Sequence, residues 1–207
     1  PICSEWLPLP DKLAPDRVSL RVLLAPLNPV DFNVIQGAYT RSSKPQLDSE
    51  GRHVSVAGNE GLARVDAVGD GIKPEVLKVG DWGEHALHTG SSSDETGMMV
   101  TVNFYQEWSQ GTWRSKVVAQ PEHLIKVPRG TGGQLTELQA ATLAINPATS
   151  YRMLHDFVDL KQGDVIFQNA ANSAVGKGVI SICAKLGVTV INFVRNRFAL
   201  PLNPQGL

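Results

Sequence analysis

Polar and apolar positions alternate through Val18-Ser-Leu-Arg-Val before the run closes on Leu23-Leu24. This pattern predicts a strand with one face towards solvent. A second alternating run, Gly61-Leu-Ala-Arg-Val-Asp-Ala-Val-Gly69, ends on Gly69-Asp-Gly71 and predicts another. Ser115-Lys-Val-Val-Ala119 and His123-Leu-Ile-Lys-Val-Pro128 read as shorter strands, the last stopped by a proline that has no ladder N–H. Lys78-Val-Gly-Asp-Trp82 reads as a turn into a strand, with Gly80 taking the positive φ. The first ~140 residues are therefore expected to be β-rich.

From Thr136 the period becomes helical. Thr136 to Ala144 predicts a helix beginning at Leu135 or Thr136, and Pro147 to Phe157 a second with proline in its first turn. Asp164-Val-Ile-Phe-Gln168 then reads as a short apolar strand, Asn169 to Gly176 as a small-residue turn, Gly178 to Leu186 as a helix, and Val188 to Val194 as a β-branched strand. Strand, turn, helix and strand in ~30 residues make one βαβ unit, with a right-handed crossover expected. Two stretches show no period. Residues 83–110 are expected to form a long loop or insertion. The tail 198–207 has two prolines and cannot continue a helix.

Composition narrows the function classes. The 207 residues carry a net charge of −1 and are 42% hydrophobic, an ordinary globular balance. Near-neutrality gives no electrostatic reason to expect nucleic acid or an anionic membrane as partner. No apolar run approaches the ~20 residues of a spanning helix. Pro1-Ile-Cys-Ser4 shows neither an initiator Met nor a signal-like segment, which reads as a removed leader or an internal start. Cys3 and Cys183 lie far apart, so no disulfide scaffold is expected. Cys183, inside Val179-Ile-Ser-Ile-Cys-Ala184, reads as a packing residue.

Three segments carry candidate chemistry. The turn after the 164–168 strand occupies the place of a dinucleotide phosphate loop, where a helix N-terminus favours anions. Ala171, Ser173 and Gly176 stand at the three positions of Gly-x-Gly-x-x-Gly, so only the last glycine is kept, although strand and helix flank it in the required order. Arg195-Asn196-Arg197 follows the next strand. An acidic residue there would serve the ribose of NAD, whereas arginines accommodate the 2′-phosphate of NADP, which favours NADPH. Gly58-Asn59-Glu60-Gly61 stands where zinc alcohol dehydrogenases carry Gly-His-Glu. Asn59 is a poor zinc ligand, and neither the four-cysteine cluster nor a convincing set among His53, His85, His88, His123 and His155 is present, so no metal is expected. A metal-free site needs a protic donor in its place.

Seven segments in order resemble the mitochondrial-type 2-enoyl thioester reductases of the medium-chain dehydrogenase/reductase superfamily. They are Asn28-Pro-Val-Asp-Phe-Asn-Val-Ile-Gln-Gly-Ala-Tyr39, Gly58-Asn-Glu-Gly61, Gly80-Asp-Trp82, Gly111-Thr-Trp-Arg114, Asn146-Pro-Ala-Thr-Ser-Tyr-Arg-Met-Leu154, Gln168-Asn-Ala-Ala-Asn-Ser-Ala-Val-Gly176 and Val194-Arg-Asn-Arg197. The most specific are Ile35-Gln-Gly-Ala-Tyr39 and Asn172-Ser-Ala-Val175 followed by Arg-x-Arg.

The resemblance implies an α/β protein: a GroES-like β-barrel domain at 1–140, then a Rossmann domain (a doubly wound parallel sheet) begun at 141–207 and incomplete. It implies an active site in the cleft between them. It also implies NADPH-dependent reduction of trans-2-enoyl thioesters on coenzyme A or acyl-carrier protein, in mitochondrial fatty acid synthesis. Tyr39 matches the catalytic tyrosine, a neutral phenol able to hydrogen-bond the thioester oxygen. Asn146, Asn172, Ser173, Ala174, Val175 and Gly176 match cofactor contacts, as do Arg195, Asn196 and Arg197 at the 2′-phosphate. Trp113 matches a position near the substrate cleft, where packing explains it equally well. The family forms homodimers, and the chain is expected to lack the dimer edge, the nicotinamide-side half of the cofactor site and the family's short connection across 83–110. The alternatives are a zinc-free quinone or alkenal reductase on the same scaffold, or a non-catalytic fragment.

Overall fold

In the first unit, strand β1 (Val18–Leu24) pairs antiparallel with β4 (Glu60–Val68) on one side and β6 (Lys116–Ala119) on the other. This is the alternating pattern realised. Val18, Leu20, Ala63, Val65, Val117 and Ala119 are buried in one cluster, where each large aliphatic side chain contributes about 1.5–3 kcal/mol. On the opposite face Arg21 and Arg64 sit directly across the β1–β4 ladder, a like-charge pair. Asp66 lies between them and binds both, 3.1 Å from Arg21 Nε and 3.4 Å from Arg64 Nε.

The computed structural model describes residues 7–38, 45–74, 77, 79, 99–103, 111–127 and 135–195. Its contacts divide the chain into two units, Pro1–Ala144 and Ile145–Leu207.

The five-stranded sheet runs β6-β1-β4-β5-β7, with β5 at Met99–Asn103 and β7 at Leu124–Lys126. Here one expectation is corrected. Part of the aperiodic stretch 83–110 is a strand: β5 pairs with β4 from Glu60↔Asn103 to Arg64↔Met99, and with β7 from Val100↔Lys126 to Val102↔Leu124. Ladder hydrogen bonds on both edges hold it, and its alternation, Val100-Thr-Val-Asn103, is too short to stand out from the aperiodic residues around it. The rest of 83–110 lies outside the described residues, as do Gly80-Asp-Trp82, His85, His88, Cys3 and the tail 198–207.

A helix and a two-strand ribbon in the first half of this unit were not read from the sequence. Helix α1 (Pro29–Ile35) starts with proline at its first position and is capped by Asp31, whose Oδ2 accepts the Asn28 N–H at 2.7 Å. A two-strand ribbon, β2 (Gln46–Leu47) with β3 (His53–Val54), is closed by Asp48. Helix α2 (Glu137–Ala141) begins one residue after Thr136, which caps it, and ends three residues short of the expected Ala144. The cap is reciprocal: Gln139 N–H donates to Thr136 Oγ1 at 3.2 Å and Thr136 N–H to Gln139 Oε1 at 2.9 Å. Its Ala140 and Ala141 pack on Leu62 of β4.

In the second unit, α3 (Asn146–His155) and α4 (Ala174–Leu186) accompany two parallel strands, β8 (Val165–Gln168) and β9 (Thr189–Asn192), paired from Val165↔Thr189 to Gln168↔Asn192. Leu154, Val179, Cys183 and Val188 form the core, with Ile166 and Val190 packed against it. Cys183 is fully buried there, and burial pushes its thiol pKa up. The alternate residues of the strands, Val165, Phe167 and Ile191, are exposed, and the Phe167 ring stacks on that of Phe193 at 6.4 Å between centroids.

The start of α4 also corrects an expectation. The helix begins at Ala174, four residues ahead of Gly178, because Ser173 caps it: Ser173 Oγ accepts the Gly176 N–H at 3.0 Å. Small residues without a period conceal a helix start that only the cap reveals.

Candidate functional site

In the first unit, a buried polar cluster forms where the start of α1 meets the first residues of β4. Asp31 is 1% exposed and Glu60 0%. Asp31 Oδ1 accepts both the backbone N–H of Asn59, at 3.1 Å, and its side-chain amide, at 2.6 Å. Asn28 Nδ2 donates to Glu60 Oε1 at 2.9 Å, and Thr112 Oγ1 donates to the Glu60 carbonyl at 2.8 Å. Gly58 makes the entry possible. Its φ is +94°, and a Cβ there would lie 2.3 Å from Thr112 Oγ1 and 2.4 Å from Trp113 Cδ1. Thr112 and Trp113 reach back with their own N–H groups to the carbonyls of Gly58 (3.1 Å) and Ala57 (2.9 Å). The Trp113 indole therefore lies over Gly58, with Nε1 donating to the Pro26 carbonyl at 3.4 Å.

This cluster bears directly on metal chemistry. Asn59 stands where a zinc relative carries an imidazole; its side-chain nitrogen donates to Asp31, and its remaining oxygen is a poor zinc ligand beside imidazole or thiolate. Among the described residues no three His, Cys, Asp or Glu side chains come together to hold a metal ion.

In the second unit the candidate cofactor residues gather at the carboxyl ends of the parallel strands, the side on which open α/β sheets bind ligands. Ala171 is buried, and its N–H donates to the Phe193 carbonyl at 3.3 Å, joining the turn to the chain leaving β9. Ala170 takes a left-handed φ of +49°. Gly176 allows the close approach: a Cβ there would stand 2.7 Å from Ala171 Cα. Asn172, Ser173 and Ala174 are exposed, and Arg195 is exposed three residues beyond the end of β9. As the first two residues of α4, Ala174 and Val175 hold N–H groups with no acceptor inside the helix. The residues present therefore fit a diphosphate at the helix start and a further phosphate at Arg195.

Three residues here escaped sequence reasoning. Ser150, fully buried, donates from Oγ to the carbonyls of Asn146 (2.9 Å) and Val175 (2.8 Å), fastening two predicted cofactor residues together. Gln168 Nε2 donates to the Gly176 carbonyl at 3.1 Å and to Asn192 Oδ1 at 2.7 Å, joining the ends of both strands to α4. A polar residue ending an apolar strand was the available signal for Gln168 and Asn192, whereas a serine within a helix gave none for Ser150. Tyr39, Asn196 and Arg197 lie outside the described residues.

Residues 14–129, more than half of the chain, match the family model of the alcohol dehydrogenase GroES-like domain. The chain belongs to that family. A mitochondrial enoyl-acyl-carrier-protein reductase of Caenorhabditis elegans is 40% identical over 187 residues, 90% of this chain and 44% of its own. The mitochondrial 2-enoyl thioester reductase Etr1p/Etr2p heterodimer of Candida tropicalis matches with a TM-score of 0.72 at 31% identity, over 94% of this chain and 50% of the other. A mutant Etr1p in complex with NADP and crotonyl-CoA matches at 0.73 and 31%, over 92% and 48%. The likeness read from the motifs is thus upheld over nearly the whole chain, within the medium-chain dehydrogenase/reductase superfamily. The chain spans about half the length of these relatives.

Proposed function

We propose that this chain carries the protic-donor and phosphate-binding parts of an NADPH-dependent reductase of trans-2-enoyl thioesters. The observation that carries the reading is the capped turn Ala171–Gly176 at the carboxyl ends of β8 and β9, followed by Arg195. The naming of the relatives as enoyl reductases, and the NADP and crotonyl-CoA held by one of them, support the same reaction.

When bound, NADPH supplies the hydride that goes to the β-carbon of the enoyl thioester. The chain's own residues have distinct tasks. The N–H groups of Ala174 and Val175, with Ser173 fixing the first turn, receive the diphosphate charge. Asn146, Asn172 and Gly176 complete that contact. Arg195, Asn196 and Arg197 hold the 2′-phosphate, where an acidic residue would repel it. The hydroxyl of Tyr39 hydrogen-bonds the thioester oxygen as negative charge develops on it, the part a metal plays in zinc relatives. Trp113 shapes the acyl side. The finer assignments follow the relatives: acyl chains on coenzyme A or acyl-carrier protein, a mitochondrial setting and a dimeric assembly, which in the Candida tropicalis relative is a heterodimer.

The test is a titration of the purified chain with NADPH and NADH by nicotinamide fluorescence, with crotonyl-CoA turnover alongside. NADPH is expected to bind saturably and more tightly than NADH. Absence of binding at millimolar NADPH would overturn the reading for this chain.

A further inference from the structure

The start of α4 and the arginine beyond β9 belong to different elements, and a ligand that touches both needs the spacing between them fixed. Two backbone bonds begin that task. Phe193 N–H donates to the Gln168 carbonyl at 2.9 Å, and Ala171 N–H to the Phe193 carbonyl at 3.3 Å. They tie the chain leaving β9 to the end of β8 and to the turn, but neither reaches the residues of α4 itself.

The side chain of Gln168 makes that connection. Its Nε2 carries two N–H groups, and both are used: one on the Gly176 carbonyl in the first turn of α4, at 3.1 Å, and one on Asn192 Oδ1, at 2.7 Å. Asn192 is the last residue of β9 and stands directly opposite Gln168 in the parallel ladder. A further bond sets the direction of its amide. Asn192 Nδ2 donates to the Val190 carbonyl at 3.2 Å, which leaves Oδ1 facing Gln168. Gly176 is held from its other side, its N–H on Ser173 Oγ at 3.0 Å. A continuous set of hydrogen bonds therefore runs from the cap of α4 through Gly176 and Gln168 to Asn192, the strand end that leads to Arg195.

A dinucleotide without a 2′-phosphate needs the α4 end of this arrangement and can follow it if the helix start shifts. One that carries a 2′-phosphate must meet α4 and Arg195 together, so it depends on their spacing being set before it binds. We propose that the Gln168–Asn192 amide bridge is a positioning device for cofactor selection, favouring 2′-phosphorylated dinucleotides by fixing the start of α4 against the strand end that carries Arg195. This rests on the reading that gives the turn to the diphosphate and Arg195 to the 2′-phosphate.

The experiment titrates the full chain with NADPH and with NADH by nicotinamide fluorescence, in the parent, in Gln168→Leu, in Asn192→Ala, in Arg195→Ala and in the double variant Gln168→Leu with Arg195→Ala. Leucine keeps much of the glutamine's bulk and removes both donors. Each bridge variant is expected to weaken NADPH by about 3- to 10-fold, the cost of ordering the released groups on binding, while NADH affinity changes little. In the Arg195→Ala background, Gln168→Leu is expected to move the NADPH-to-NADH ratio no further, because both changes act through one contact. A ratio unmoved in either bridge variant, including equal weakening of both nucleotides, overturns the proposal, as does strict additivity in the double variant. Should Gln168→Leu not fold, Asn192→Ala, at an exposed position, decides alone. A parent chain that binds no NADPH rejects the reductase reading and this inference with it, whereas a parent that binds, with the ratio unmoved in the variants, rejects this inference alone.

Discussion

Asp31 holds Asn59 twice through one oxygen, by its backbone N–H at 3.1 Å and its side-chain amide at 2.6 Å. Its other oxygen caps α1 through the Asn28 N–H. Removing the carboxylate leaves three donors unsatisfied at a residue only 1% exposed. Each buried group left unpaired costs about 1–3 kcal/mol, part of which water entering the cavity restores. Asp31→Ala is therefore expected to lower the stability of the chain by about 2–4 kcal/mol, read as a fall in the urea midpoint. A midpoint within error of the parent would show that the cluster does not hold α1 against β4.

The crossing of α3 and α4 depends on the absence of a side chain at one position. A Cβ on Gly178 would stand 2.4 Å from Ser150 Oγ and 2.9 Å from Ser150 Cβ. That hydroxyl is already committed to two carbonyls, so it has nowhere to turn. Gly178→Ala is expected to destabilise by about 1–3 kcal/mol despite the better helix propensity of alanine. In a double-mutant cycle Ser150→Gly should recover part of the loss, because the clash shares those atoms. Strict additivity would mean that the two helices do not meet there in solution.

Asp48 gives a pH dependence whose sign is fixed. The backbone N–H of Arg52, at 2.8 Å from Oδ1, is the chief cause holding its pKa below the ordinary carboxylate value, helped by the Arg52 guanidinium and the Glu50 N–H against the opposing effect of burial. A depressed folded-state pKa means stability that is present above the unfolded pKa and lost as pH falls through the folded one. Asp48→Asn is expected to be less stable than the parent at neutral pH, with the gap closing below the ordinary carboxylate range. Denaturant midpoints across that acidic window check it, and a gap independent of pH would count against it.

Alternation made β1 and β4 legible because one face of each packs on a core and the other meets solvent, as Leu20 beside Arg21 shows. Strand β5 was hidden because its alternation, Val100-Thr-Val-Asn103, lasts only four residues inside an aperiodic stretch, although it pairs with both β4 and β7. Helix α1 carried its signal in Asn28-Pro29 and Asp31, a cap pattern too short to give a period. The phosphate turn was placed by its neighbours in sequence, since two glycine positions hold Ala171 and Ser173. The close approach of Gly176 to Ala171 explains why the one surviving glycine is at 176. Ser150, Gln168 and Asn192 support that turn through hydrogen bonds between elements, which a one-dimensional reading does not contain.

Cofactor choice provides a separable test of the second unit. Arg195 is exposed beyond β9, so its removal costs the fold little. In the double variant Arg195→Ala with Arg197→Ala, NADPH affinity is expected to fall by roughly 10- to 100-fold, while NADH affinity stays near that of the parent. Direct titration with both nucleotides measures the ratio. An unchanged ratio would remove these arginines from the 2′-phosphate site.

The donor role of Tyr39 is distinguished from cofactor binding by separating turnover from affinity. Phenylalanine keeps the ring and deletes only the hydroxyl, so packing is preserved while the hydrogen bond to the developing oxyanion is lost. A missing donor of that kind lowers kcat by roughly 10²-fold, because it acts where charge appears in the transition state. The corresponding Tyr→Phe change in a full-length relative that keeps Ile-Gln-Gly-Ala-Tyr is therefore expected to cut kcat with crotonyl-CoA and leave the Kd for NADPH unchanged. A fall in NADPH affinity with kcat intact would instead make the tyrosine a cofactor contact. Equal values for both constants would leave the proton and charge chemistry to another group in the site.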